Sequence, residues 1–159
     1  MPENKPKVLI TGGAGLIGSL LINNLDDKYE FSSLDLQEAE GVKSTVANIA
    51  DIDAIQPAFE GVDTVIHLAA DADQNGSWES NLPNNFIATY NIFEQAKRAG
   101  VKRVIFASSN HAEGGNYTVP PWKHVNEGDY QLLEQDNYEL VTEKHRIRPD
   151  GYYGVAKAY

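Results

Sequence analysis

Apolar residues along this chain come in two textures, short continuous runs and longer stretches spaced like one face of a helix. The run Lys7-Val8-Leu9-Ile10-Thr11 breaks into closely spaced glycines, and the pattern then resumes at helical spacing over residues 16–25. Phe31-Ser32-Ser33-Leu34-Asp35 predicts a second strand that ends in a carboxylate, and Ser44-Thr45-Val46-Ala47-Asn48 a short third. Asp51 is placed to cap a helix reaching Phe59, which Gly61 stops. Val62 to Leu68 is a near-continuous β-branched and apolar run, the pattern of a parallel strand buried on both faces. From Asn81 to Ala99 the spacing of Phe86, Ile87, Tyr90, Phe93 and Ala96 predicts an amphipathic helix ending at Gly100, and Val101 to Ala107 returns to strand.

Strand and helix thus alternate with short connections, which predicts an α/β fold: a Rossmann-like, doubly wound parallel sheet built from right-handed βαβ units. Ligands of such sheets sit at the carboxyl ends of the strands. Between Glu113 and Pro149 the periodicity fades into a polar segment containing Pro120-Pro121, read as a long loop or insertion with one short helix. Residues 151–159 read as the start of a further helix. With 159 residues, 42% of them hydrophobic, the chain is expected to form one domain over 1–159.

A net charge of −10 leaves no basic stripe to displace counterions from a phosphate backbone, so nucleic acid is not an expected partner. There is no cysteine and the four histidines are scattered, so neither a disulfide scaffold nor a metal site is expected. No apolar run approaches the ~18 residues of a membrane span. The expectation is a cytoplasmic protein without membrane attachment.

The glycines carry the first chemistry. Gly12 and Gly13 allow a tight turn after the strand, Gly15 lets backbone N–H groups approach a pyrophosphate, and Gly18 lets helix pack on strand. The helix beginning at Leu16 and Ile17 would aim its N-terminal amides at the phosphates. Asp35 stands about 20 residues further on, the spacing at which an acid accepts hydrogen bonds from the adenosine ribose and repels a 2′-phosphate. Together they predict a dinucleotide site that prefers NAD to NADP. The bland alternatives, a glycine turn made for packing and an Asp that caps a loop, each explain one feature but not the pair.

The second chemistry lies in Tyr152-Tyr153-Gly154-Val155-Ala156-Lys157. On a helix Tyr153 and Lys157 share a face, and an adjacent ammonium stabilises a phenolate that is otherwise a poor base near neutrality. Such a pair alone is more often a surface contact. Here it follows a nucleotide-binding pattern and Ser108-Ser109-Asn110 at the end of a strand.

With these residues in view, the chain resembles the extended short-chain dehydrogenase/reductase superfamily, and within it the NAD-dependent epimerase/dehydratase family. The glycine motif stands as Thr11, Gly12, Gly15 and Gly18, the acidic selector as Asp35, the strand beside the cofactor as Val65-Ile66-His67-Leu68-Ala69-Ala70, and the tyrosine-lysine motif as Tyr153 and Lys157. The resemblance implies a cofactor site lined by Gly12, Gly15, Leu16, Ile17, Gly18, Asp35, Asn48, Ile49, Leu68, Ala69 and Ala70. It also implies a structural Asn85 in the following helix, with Tyr153 and Lys157 completing the site. It further implies that Tyr153 exchanges a proton with a sugar oxygen while NAD takes or gives hydride. Lys157 would hold the nicotinamide ribose and tune Tyr153, and Ser109 would bond the reacting oxygen.

A narrower resemblance, to uronate and related sugar dehydrogenases, rests on Ala107-Ser108-Ser109-Asn110-His111 and Arg148-Pro149-Asp150-Gly151. It implies that Ser109, Asn110 and His111 read substrate hydroxyls or a carboxylate. Three departures stand beside these resemblances, the first and last from the family and the second from the narrower group. Asn48 stands where the family commonly has an Asp that meets the adenine amino group, although an amide carbonyl still accepts that bond. Gly114-Gly115-Asn116 replaces an aromatic. The segment between Ser109 and Tyr153 is long, so Trp122, Lys123 and His124 are candidates for a pocket wall or lid, or for an inert insertion.

Tyr159 follows Lys157 by two positions whereas family members continue, so the chain is expected to be truncated at its C-terminus, the full-length form being a possible homodimer. Three functions stay open: an NAD-dependent dehydrogenase of a sugar or sugar acid, a nucleotide-sugar epimerase or dehydratase that retains NAD, and a non-catalytic NAD-binding module.

Overall fold

The computed structural model describes residues 5–133 and 140–158. Part of the long segment predicted between Glu113 and Pro149, together with the first four residues and residue 159, lies outside the described residues. The chain divides into two compact units, Met1–Asp71 with Glu79–Ala107, and Ala72–Trp78 with Ser108–Tyr159.

The first unit is a five-stranded parallel sheet of order β3-β2-β1-β4-β5. Its strands are β1 (Lys7–Thr11), β2 (Glu30–Asp35), β3 (Lys43–Val46), β4 (Thr64–His67) and β5 (Arg103–Phe106). Every pairing is parallel, with Leu9 opposite Ser32 on one side and opposite Val65 on the other. The order reverses at β1, where β2 and β4 lie on either side of it, and this opens a crevice at the strands' carboxyl ends.

The alternation along β1 supplies two cores. Leu9, Leu34 and Val65 face one side with Ile55, Phe59, Ile92 and Ala96. Val8, Ile10 and Phe31 face the other with Ile22 and Ala39. This accounts for the unbroken apolar runs: a strand covered on both faces has no polar side to show.

Helix α1 (Leu16–Leu25) lies where the pattern predicts. The Asp51 side chain caps α2 (Ile52–Ile55) by accepting from the N–H groups of Asp53 and Ala54, and the chain then tightens into a 3₁₀ turn at Gln56–Phe59, where Pro57 has no N–H to continue the helix.

The helix predicted over 81–99 begins earlier and is less regular. It runs as α3 (Trp78–Asn81), a π-helical stretch Leu82–Ile87, and α4 (Ala88–Arg98). The π turn forms around Pro83, whose carbonyl accepts from the Ala88 N–H five residues on. The face also differs from the apolar stripe in the sequence: Tyr90 is 64% exposed and Phe93 44%, while Asn91 and Gln95 are buried. The reason is hydrogen bonding. Asn91 Nδ2 donates to the carbonyls of Ile49 and Ala50 at 3.0 and 2.9 Å, and Gln95 Nε2 donates to that of Ile52 at 2.7 Å. The inward face of α4 thus carries Asn91 and Gln95 beside Ile92 and Ala96, and the two amides satisfy backbone carbonyls from the β3 exit to the start of α2.

The second unit contains 3₁₀ turns at Asn110–Ala112 and Gly114–Thr118, helix α5 (Trp122–Glu127) and helix α6 (Tyr152–Ala158). The short helix expected in the polar segment is α5. Trp122, raised as a pocket or lid residue, packs edge-on against His145 within the same segment, with ring centroids 5.5 Å apart. Among the described residues no helix is long and apolar enough to cross a membrane.

Candidate functional site

Two sets of residues carry chemistry, one in each unit. In the first unit a cleft of about 560 Å³ opens at the carboxyl ends of the strands. Its floor is the turn from β1 to α1. Gly12 has φ +79°, and a Cβ there would lie 2.9 Å from the Ala69 nitrogen, so only glycine admits this approach of the β1 and β4 exits. A Cβ on Gly18 would lie 2.3 Å from the Gly12 carbonyl oxygen, which fixes α1 against the turn. No side chain caps α1 at Gly15, so its leading N–H groups open toward the cleft beside the exposed Leu16 and Ile17.

Asp35 closes one end. Its Oδ2 accepts from the Ala14 N–H at 3.1 Å and its Oδ1 from the Leu36 N–H at 2.6 Å, which orients the carboxylate at the mouth and leaves further lone pairs for a ribose diol. Asn48 and Ile49 form the adjoining wall; Asn48 Oδ1 already accepts from the Ala50 N–H at 2.9 Å. Leu68, Ala69 and Ala70 form the opposite wall. Glycine turn, helix start and carboxylate together match what a dinucleotide needs: donors for a pyrophosphate, an acceptor for a ribose and apolar walls for a base.

Asn85 does not line this cleft. It is buried behind it, its Oδ1 accepting from the Asp71 N–H at 2.8 Å and its Nδ2 donating to the Asp71 carbonyl at 3.0 Å and to Asn81 Oδ1 at 2.7 Å. It therefore clamps the chain just after Ala70. Asn84, beside it on the π turn, reaches the cleft, as do Leu36, Ala47 and Asp71, none of which the motif reading singled out.

Sequence reasoning also missed a second clamp. Thr11 Oγ1 and His67 Nδ1 are 2.6 Å apart, His67 Nε2 lies 3.2 Å from Thr89 Oγ1, and the Ala69 N–H reaches Thr11 Oγ1 at 3.3 Å. The exits of β1 and β4 are thus tied through side chains as well as through the Thr11 carbonyl, which accepts from Leu68 and Ala69. Thr89 gave no signal because nothing in a sequence tells which helical hydroxyl faces a strand histidine.

In the second unit, helix α6 places Tyr153 and Lys157 on one face, as their spacing predicts, with Lys157 Nζ 5.8 Å from the Tyr153 ring centroid. Lys157 is 5% exposed, and burial lowers its pKa from the ordinary lysine value. Ser108 Oγ donates to the Lys157 carbonyl at 2.7 Å and so ties the start of this unit to α6. Ser109 Oγ accepts from the His111 N–H at 3.2 Å and lies 3.3 Å from Asn110 Oδ1. The His111 ring meets the Tyr153 ring edge-on at 5.8 Å. Five residues named from sequence, Ser109, Asn110, His111, Tyr153 and Lys157, therefore belong to one unit.

The family profile described as NAD dependent epimerase/dehydratase family matches residues 8–159. The chain is similar to an L-arabinose 1-dehydrogenase (NAD(P)(+)) of Haloferax volcanii, 32% identical over 96% of this chain and 58% of that one. It is similar also to a uronate dehydrogenase of Pseudomonas syringae pv. tomato, 32% identical over 96% of this chain and 50% of that one. Among solved structures, a mutant uronate dehydrogenase of Agrobacterium tumefaciens complexed with NAD aligns with a TM-score of 0.74 at 26% identity, over 97% of this chain and 52% of that one. The chain spans about half the length of the relatives it matches. On a profile match over nearly all of its length, the chain belongs to the NAD-dependent epimerase/dehydratase family.

Proposed function

We propose that residues 1–159 serve as the NAD-binding domain of a cytoplasmic NAD-dependent oxidoreductase that acts on a hydroxyl of a sugar or sugar acid. The observation that carries this reading is the pairing of Tyr153 with Lys157 on one face of α6, in the same unit as Ser109. When bound, NAD supplies the hydride acceptor. Gly12, Gly15 and the first turn of α1 hold the pyrophosphate, and Asp35 takes the adenosine ribose and selects against a 2′-phosphate. Tyr153 removes the hydroxyl proton of the sugar, and the Lys157 ammonium stabilises the phenolate that does so. Ser109 donates to the reacting oxygen as it becomes a carbonyl. Asn110 and His111 read the neighbouring hydroxyls or a carboxylate. That two relatives are named as dehydrogenases of a free sugar and of a uronate supports this substrate class.

The experiment is incubation with NAD and a panel of aldoses, uronates and nucleotide sugars while following NADH absorbance. Net NADH with one class of free sugar is the expected result. Interconversion of nucleotide sugars without net NADH would overturn it in favour of an epimerase, and NAD binding without either would leave a binding module.

A further inference from the structure

Asp150 lies 39 residues beyond His111, yet its Oδ2 is 2.7 Å from His111 Nδ1. The contact is built in three independent ways. First, the backbone delivers it: the Gly115 N–H donates to the Arg148 carbonyl at 2.6 Å, the Arg148 N–H to the Ala112 carbonyl at 3.1 Å, and the Asp150 N–H to the His111 carbonyl at 3.4 Å. Second, two glycines make room for the carboxylate. A Cβ on Gly114 would lie 2.0 Å from Asp150 Oδ2, and one on Gly154 would lie 2.9 Å from Oδ1 and 2.3 Å from the His111 carbonyl oxygen. Gly114 and the glycine beside Tyr153 are thus explained by one slot, while a Cβ on Gly115 would lie 2.8 Å from the Arg148 carbonyl oxygen. Third, the ring so held stands edge-on to Tyr153 at an interplanar angle of 69°.

Nδ1 is engaged by a carboxylate, which only accepts, so in a neutral ring the proton resides on Nδ1. Among the described residues Nε2 makes no hydrogen bond to a protein group. We propose that Asp150 is a positioning residue for His111, fixing the Nδ1–H tautomer so that Nε2 is offered as an acceptor to a hydroxyl of the sugar. This rests on the functional reading above for the identity of the ligand and on the slot geometry for the tautomer. It sharpens the substrate class: the group met by His111 is a hydrogen-bond donor, a hydroxyl rather than a carboxylate.

The tautomer is read directly from ¹⁵N–¹H correlation spectra of the imidazoles, of which the chain has four, at a pH where the His111 ring is neutral. The expected result is a proton on Nδ1 and a bare Nε2. Asp150→Asn keeps the shape of the slot but can present an amide N–H to Nδ1, and is expected to shift the ring toward the Nε2–H form. The sugar KM should then rise on the order of tenfold, by more than kcat falls, with the dissociation constant for NAD unchanged. His111→Asn keeps a donor opposite Asp150 while deleting Nε2, and is expected to raise KM to the same extent; it decides the case if Asp150→Asn does not fold. A wild-type ring protonated on Nε2, or an Asp150→Asn protein whose tautomer and KM stay where they were, would overturn the proposal. If no sugar yields NADH, the functional reading fails while the spectra still decide the role of Asp150.

Discussion

The dinucleotide cleft and the Tyr153 cluster are made of different material. The cleft is built from backbone: three glycines, the uncapped start of α1, and a carboxylate oriented by two amide donors, Leu36 beside it and Ala14 in the glycine turn itself. The cluster is built from side chains delivered by distant segments, with Ser108 held to Lys157 and His111 to Asp150. The first kind of site depends on the chain being able to approach itself closely. The second depends on two stretches of chain being brought together and kept there.

The comparison predicts separable failures, and the largest belongs to the cluster. Tyr153→Phe removes only the hydroxyl and should lower kcat by roughly 10²–10⁴-fold, the usual worth of a general acid–base group, while NAD affinity and thermal midpoint stay near wild type. Single-turnover kinetics beside NAD titration check this. An equal loss of NAD binding would mean that the two functions do not separate by residue as described.

Next comes the cleft. Gly18→Ala sets a methyl 2.3 Å from the Gly12 carbonyl oxygen and 2.7 Å from Gly13 Cα, both backbone atoms that move only with the turn itself. The expected cost is about 1–3 kcal/mol of stability, in line with overpacking elsewhere, together with a loss of NAD affinity that Tyr153→Phe lacks. Calorimetric melting and NAD titration of the same protein measure both.

These two sites were not equally legible. Glycine spacing, the strand after it and Asp35 are local, so a reader of the chain meets them in order. The pairing of Tyr153 with Lys157 is local too, since one helical turn joins them. His111 with Asp150 is not, because nothing near either residue specifies the backbone hydrogen bonds between 111–115 and 148–150 that join them. The same limit explains α4. Its apolar spacing pointed to Tyr90 and Phe93 as the inward face, but the structure buries Asn91 and Gln95 because their partners, the carbonyls of Ile49, Ala50 and Ile52, come from a segment some forty residues earlier. A polar side chain reads as a surface residue until its acceptor is known. The π turn at Leu82–Ile87 was visible only as a proline inside a helical pattern.

Asn91 provides the next test. Asn91→Leu keeps much of the volume but leaves the Ile49 and Ala50 carbonyls without their donor, at a cost of about 1–3 kcal/mol. Because Ile49 lines the cleft, NAD affinity should weaken with stability, and by less than in Gly18→Ala. Denaturant midpoints set against NAD titration would show whether the two losses move together.

The smallest expected effect concerns Lys157 and is a slope rather than a loss. Burial lowers its pKa in the folded chain below the ordinary 10.5, so between those two values the unfolded chain binds more protons than the folded one. Stability therefore rises with pH across that window through this group, and below it the cost of burying the ammonium is present in full. Lys157→Met removes the titration, so the difference in unfolding free energy between wild type and variant should shift in favour of wild type as pH climbs toward 10.5. Catalysis runs the other way. On the proposed reading the ammonium supports the Tyr153 phenolate only while protonated, so turnover should fall on the alkaline side where stability gains. Opposite signs for one group would identify Lys157 as a charge kept buried for the chemistry of Tyr153, whereas a flat difference curve would return it to the ordinary packing of α6.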